Sequence, residues 1–141
     1  MSAEDEVRKA SAQFYAALNR MVDGDAGPLS DVWSYGPRVT AMHPIGGQQM
    51  GWAAVRASFG QIAALAPGGH VRLDDQYIEV GGELAYELGV ERGETMPAEE
   101  SITIEQRVTN IYRLETGEWR MVHHHTDISL AMAGIDWDVT G

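Results

Sequence analysis

The chain has no cysteine, which excludes disulfides, thiolate metal sites and thiol nucleophiles from its chemistry. It is also short of cations, with 10 Lys and Arg against 21 Asp and Glu and a net charge of −11. The acidic excess is scattered, so the surface repels phosphate backbones and anionic lipid, and neither nucleic acid nor a membrane is expected as a partner. No apolar run approaches the roughly 18 residues of a membrane-spanning helix and nothing at the N-terminus reads as a signal peptide, so a cytoplasmic location is the expectation. Gly46-Gly47 and Gly68-Gly69 lack the spacing of a phosphate-binding loop and read as turns; no cofactor is expected.

What is present is enough for a single domain. A chain of 141 residues that is 44% hydrophobic buries roughly two-thirds of its unfolded surface without covalent staples. Three of its five histidines stand together in Trp119-Arg120-Met121-Val122-His123-His124-His125-Thr126-Asp127. Histidine changes charge near neutral pH, so this run raises proton chemistry and metal binding alike.

The first third reads as helical. Ser2 and Asp5 start a helix in which Val7, Ala10, Phe14, Leu18 and Met21 recur at helical spacing until Gly24. A short second helix is expected over 25–34, a strand over 38–43, and a third helix after Gly51 with Trp52, Val55, Phe59, Ile62 and Leu65 on one stripe. After Gly69 the period changes to 2. Strands are expected over 70–80 and 84–91 around Gly81-Gly82, then over 102–114 and 119–129, with 93–100 a polar loop. Helices followed by strands, without alternation, predict an α+β class with an antiparallel sheet. One domain over 1–129 and a C-terminal tail over 130–141 are expected; Ile135 and Trp137 suggest that the tail packs on something.

The last hairpin sets the faces. With Glu115-Thr116-Gly117 as a three-residue loop, Leu114 pairs with Glu118. One face then holds Gln106, Val108, Asn110 and Tyr112 with Val122, His124 and Thr126. The opposite face holds Glu105, Arg107, Thr109 and Ile111 with Trp119, Met121, His123, His125 and Asp127. His124 is thereby separated from its neighbours.

Three stretches carry a family likeness: Gln13-Phe14-Tyr15-Ala16-Ala17-Leu18-Asn19 with Asp23-Gly24-Asp25, Thr40-Ala41-Met42-His43-Pro44-Ile45-Gly46 with Gly51 and Val55-Arg56, and Gly117-Glu118-Trp119-Arg120-Met121-Val122-His123-His124-His125. In this order they resemble the nuclear-transport-factor-2-like superfamily, with its ketosteroid isomerases, SnoaL-like polyketide cyclases and kinase association domains. The resemblance implies a cone-shaped domain, three N-terminal helices packed on a strongly curved, mainly antiparallel sheet, with a pocket between them and a homodimer as the assembly. It places Val122, His124 and Thr126 in the pocket and His123 and His125 on the far side. His43 falls where the isomerase has its catalytic aspartate, and Phe14 where it has its oxyanion-binding tyrosine; phenylalanine offers no donor, and Tyr15 lies about 100° around the helix.

Two functions follow as expectations. One is an isomerase- or cyclase-type enzyme doing acid/base chemistry on a small apolar carbonyl compound, with His43 and His124 catalytic. The other is a non-catalytic module that binds a ligand or assembles. In both, Phe14, Tyr15, Leu18, Trp33, Met42, Trp52 and Phe59 form the apolar wall, with Gln106, Val108, Asn110 and Tyr112 opposite. Each has a plainer reading: His43 as a strand-end cap, the apolar groups as core, the polar ones as satisfied sheet residues. His123, His125 and Asp127 have the content of a metal site, but an interface or solvent network, with Arg107 paired to Asp127 or Glu105, is the preferred account; no metal is assigned.

Overall fold

The structure is a computed structural model that describes residues 1–135 and 137. Helix α1, Ala3–Val22, begins at a capping box in which Ser2 and Asp5 bond each other's backbone amides, satisfying two of the orphan N–H groups of the first turn. Its buried stripe of Val7, Ala10, Phe14, Leu18 and Met21 is the one the periodicity predicts. The expected second helix is a five-residue 3-10 turn, Gly27–Asp31; Pro28 starts it, and the segment is too short to nucleate an α-helix. Strands β1, Thr40–His43, and β2, Gly46–Met50, precede helix α2, Trp52–Leu65. Long strands β3, Gly69–Gly81, β4, Leu84–Thr95, β5, Ile102–Glu115, and β6, Glu118–Thr126, follow, and a single turn of helix, α3, covers Leu130–Ala133.

The sheet order is β2-β1-β6-β5-β4-β3. All neighbours are antiparallel except β1 and β6, which run parallel with Ala41 beside His124, so the six-stranded sheet is mixed. That parallel pair brings His43, from the first third of the chain, next to the histidine run. Strand β4 continues through what the sequence suggests is a loop: Gly93 has φ +156 and pairs with Val71, and a Cβ there would overlap the carbonyl of His70. The same glycine that breaks the sequence pattern keeps the strand paired.

The final hairpin differs from expectation in two compensating ways. Glu115 pairs with Glu118 across a two-residue turn of Thr116 and Gly117, both with positive φ, the turn that best matches strand twist. A bulge then makes Val122 an extra residue, since Tyr112 pairs with Met121 and Ile111 with His123. Each shift alone would invert the faces; together they restore them. His124 accordingly lies opposite Asn110. Before the bulge the inversion is real: Trp119 and Met121, expected on the outer face, are buried in the core.

Candidate functional site

Strand β4 places an unusual set of residues inside. Ala85, Glu87, Gly89 and Glu91 pair with Tyr112, Asn110, Val108 and Gln106 of β5, and these positions share the face toward the helices. Glu87 is fully buried and Glu91 is 3% exposed. Buried carboxylates require donors, and both have them. Glu87 accepts from Tyr112 Oη at 2.8 Å, Asn110 Nδ2 at 3.0 Å and Gln76 Nε2 at 2.7 Å. Glu91 accepts from Tyr15 Oη and Gln106 Nε2, each at 2.9 Å.

Asn110 joins the two carboxylate clusters. Its Nδ2 donates to Glu87 and also to Tyr15 Oη at 3.1 Å, and its Oδ1 lies 2.7 Å from His124 Nδ1. His124 Nε2 stands 4.0 Å from Glu91 Oε2. His43 packs edge-on against Phe59 and bonds Ser58 Oγ at 2.7 Å through Nε2, and its ring centroid is 6.4 Å from that of His124. Glu91, His43, His124 and Gln106 all border one mostly apolar cavity of about 80 Å³ between the sheet, α1 and α2, with space for about three water-sized groups. Leu18, Phe59, Ile62, Val71 and Ile104 form its walls, and Met132 and Trp137 close it from the C-terminal side.

Burial sets the proton affinities. It raises the Glu91 carboxyl from 4.5 to about 7 against the pull of the Gln106 and Tyr15 hydrogen bonds, with repulsion from Glu87 adding to the rise. It lowers His43 from 6.5 to about 4, and it holds His124 well below the ordinary histidine value, helped by the neighbouring imidazoles. Near neutral pH the cavity therefore holds two uncharged imidazoles and an acid poised between its two forms.

Of the residues singled out from the sequence, His43, His124, Gln106, Leu18 and Phe59 border the cavity. Tyr15, Asn110 and Tyr112 stand behind it as hydrogen-bond partners of the two glutamates. Phe14 packs on His124 with ring centroids 5.1 Å apart, and Trp33 packs at a tilt against both Trp52 and Phe59. Val108, Val122 and Thr126 are buried, Met42 is half-buried, and none of these four touches the cavity. Glu87 and Glu91 were missed. Strand β4 by itself carried no signal for them: both lie in step with Ala85, and only the structure shows that this face is buried.

The other two histidines look outward. His123 Nδ1 bonds Thr40 Oγ1 at 2.6 Å, and its ring lies 5.9 Å from that of His125. Asp127 is engaged by Arg107 through two guanidinium bonds and one backbone bond, which holds its carboxyl below the usual range. Among the described residues no three His, Cys, Asp or Glu side chains gather in a way that could hold a metal ion, and no helix is long and apolar enough to cross a membrane.

A long first helix, a second helix across a mixed six-stranded sheet, and a cavity between them define a cystatin-like, nuclear-transport-factor-2-like α+β domain. The chain belongs to the SnoaL-like domain family, which it matches over residues 7–132. No curated protein matches it by sequence. Among solved structures it is similar to a candidate dehydratase of the same superfamily from Streptomyces avermitilis, with 24% identity, 90% of this chain and 96% of that one covered and a TM-score of 0.78. It is also similar to the CaMKII hub of S. rosetta, at 17% identity, 92% and 98% coverage and TM-score 0.73. A candidate ketosteroid isomerase from Shewanella frigidimarina aligns at 16% identity, 84% and 92% coverage and TM-score 0.68. Enzymes and assembly domains thus share this fold, and the fold alone does not choose between them.

Proposed function

We propose that the protein is a small-molecule enzyme that moves protons on an apolar carbonyl compound, without a cofactor. The observation that carries this reading is the convergence of Glu91, His43 and His124 on one apolar cavity, with Glu91 titrating near neutrality. A general acid works best with a pKa near the working pH. In the proposed step His43, kept neutral by burial, takes a proton from the carbon beside the carbonyl. Glu91 in its protonated form gives its proton to oxygen: to the carbonyl oxygen in an isomerisation, or to a hydroxyl on the next carbon, which then leaves as water. His124 orients the substrate, and Tyr15 and Gln106 hold the Glu91 carboxyl in place.

The test uses cyclohexanone and 3-hydroxycyclohexanone in deuterated buffer, following hydrogen exchange and loss of water by NMR. Exchange or elimination that falls about a hundredfold or more in both Glu91→Gln and His43→Gln supports the reading. Turnover that is absent, or indifferent to both substitutions, rejects catalysis and favours a ligand-binding module.

The opposite side of the sheet supports a homodimer. Tyr77, Leu84, Tyr86 and Leu88 are all more than two-fifths exposed there, with Ile111 and the two outward histidines adjoining across β5 and β6. Neighbouring apolar groups left open on a strand face suit a second copy of the chain.

A further inference from the structure

The hydrogen bonds around the cavity have directions that the network dictates. Three donors converge on Glu87, so Asn110 must turn its amide nitrogen, not its oxygen, toward that carboxyl. The same nitrogen donates to Tyr15 Oη, which leaves the tyrosine proton for Glu91. Asn110 Oδ1 then faces His124 Nδ1 and can only accept. His124 consequently carries its proton on Nδ1 and keeps a lone pair on Nε2, the atom nearest Glu91. A second relay does the same for His43. Ser58 gives its hydroxyl proton to the Val55 carbonyl, so His43 Nε2 donates to Ser58 Oγ and the His43 lone pair remains on Nδ1.

The remaining donor atoms of the wall are also engaged. Thr95 Oγ1 donates to the Gly68 carbonyl, Trp137 Nε1 to the Met132 carbonyl and Gln106 Nε2 to Glu91. Gln106 Oε1, in contrast, is buried and has no partner. With Glu91 ionised, the side-chain polar atoms that border the cavity without a hydrogen-bond partner, among the described residues, are all acceptors: Gln106 Oε1, His124 Nε2 and His43 Nδ1. A buried acceptor without a donor destabilises the protein, and a ligand that supplies one removes the penalty. A plain ketone brings another acceptor. An ammonium group would have to shed its water against Leu18, Phe59, Val71 and Ile104.

We propose that the cavity binds the hydroxyl end of a neutral apolar molecule, whose proton goes to Gln106 Oε1 with the flanking imidazole lone pairs as alternative acceptors. This rests on the enzyme reading above for its meaning as a substrate class, a hydroxylated carbonyl compound, while binding itself is testable without turnover.

The test compares cyclohexanol, cyclohexanone and cyclohexylamine by calorimetry and NMR titration at pH 8, where Glu91 has little proton to offer a carbonyl. Cyclohexanol is expected to bind at least about tenfold more tightly than either analogue, and Gln106→Met to lose most of that preference. In the unaltered protein, saturating cyclohexanol should shift the Gln106 side-chain amide signals and cyclohexanone should not, a readout that survives if the variant folds poorly. Equal or tighter binding of the ketone or the amine, no binding of the alcohol, or an unmoved Gln106 amide overturns the proposal. Alcohol-selective binding without proton exchange on any carbonyl substrate would sink the enzyme reading and leave the ligand class standing. Exchange without hydroxyl preference would do the reverse.

Discussion

Strand β4 shows its two faces to different worlds, and its polarity is the reverse of what burial normally selects. The inward positions are Ala85, Glu87, Gly89 and Glu91; the outward ones are Leu84, Tyr86, Leu88 and Val90. In most half-exposed strands the apolar set is inside. Here the inner face gives up hydrophobic burial for a hydrogen-bonded network around two carboxylates, and the outer face keeps an apolar surface that a lone domain leaves wet. The same split divides the histidine run, with His124 inside against Asn110 and His123 and His125 outside. Inner polar groups are worth a great deal because each is desolvated and leans on the others; outer ones are worth little because water replaces them.

The largest effect should come from breaking the inner network at its junction. Asn110→Leu leaves Glu87, Tyr15 and His124 each short of a partner and is expected to cost about 4 kcal/mol, read from urea unfolding, since each buried orphan costs about 1–3 kcal/mol. An unfolding midpoint within error of the unaltered protein would mean that the network is not needed for folding.

The next effect depends on pH. Burial lifts Glu91 from 4.5 to about 7, so its share of stability is fully present below pH 4.5 and is lost as the pH rises to about 7. Burial lowers His43 from 6.5 to about 4, so its share is fully present above pH 6.5 and is lost as the pH falls to about 4. The two oppose each other across one window and flatten the profile. Glu91→Gln removes the first alone, and its stability relative to the parent should rise by about 3 kcal/mol between pH 4.5 and 7. A relative stability that stays constant over this range would mean that Glu91 titrates like an exposed carboxyl.

On the outer face, Leu88→Lys should change the stability of the folded chain by no more than about 0.5 kcal/mol, yet shift the sedimenting species from dimer to monomer. A parent protein that already sediments as a monomer removes the homodimer. The smallest effect is expected for Arg107→Ala: it breaks a well-formed pair with Asp127, but both groups are water-exposed, and the urea midpoint should not move.

Parts of the site could be read from residue order and parts could not. His43 and His124 stand out because histidines are few and sit in recognisable stretches. Gln106 and Asn110 follow from alternation along β5. Glu87 and Glu91 stayed hidden because the pattern Leu-x-Tyr-x-Leu-x-Val, read alone, points the glutamates at solvent. Strand β4's continuation past Gly93 and the Val122 bulge were hidden for a related reason: each depends on the partner strand's backbone.

Residue order alone determined most of where helices and strands run, since the spacing of apolar groups, the Ser2 cap and the turn glycines act within a few residues. It also settled the absence of thiol chemistry and the strongly acidic balance. Only the tertiary structure decided which face of β4 is inside, how the shortened turn and the bulge cancel to aim His124 at Asn110, and that a glutamate meets two imidazoles at one cavity. Strand facing is a parity: one residue gained or lost anywhere in a hairpin reverses it, and burial belongs to the whole sheet and the helices covering it.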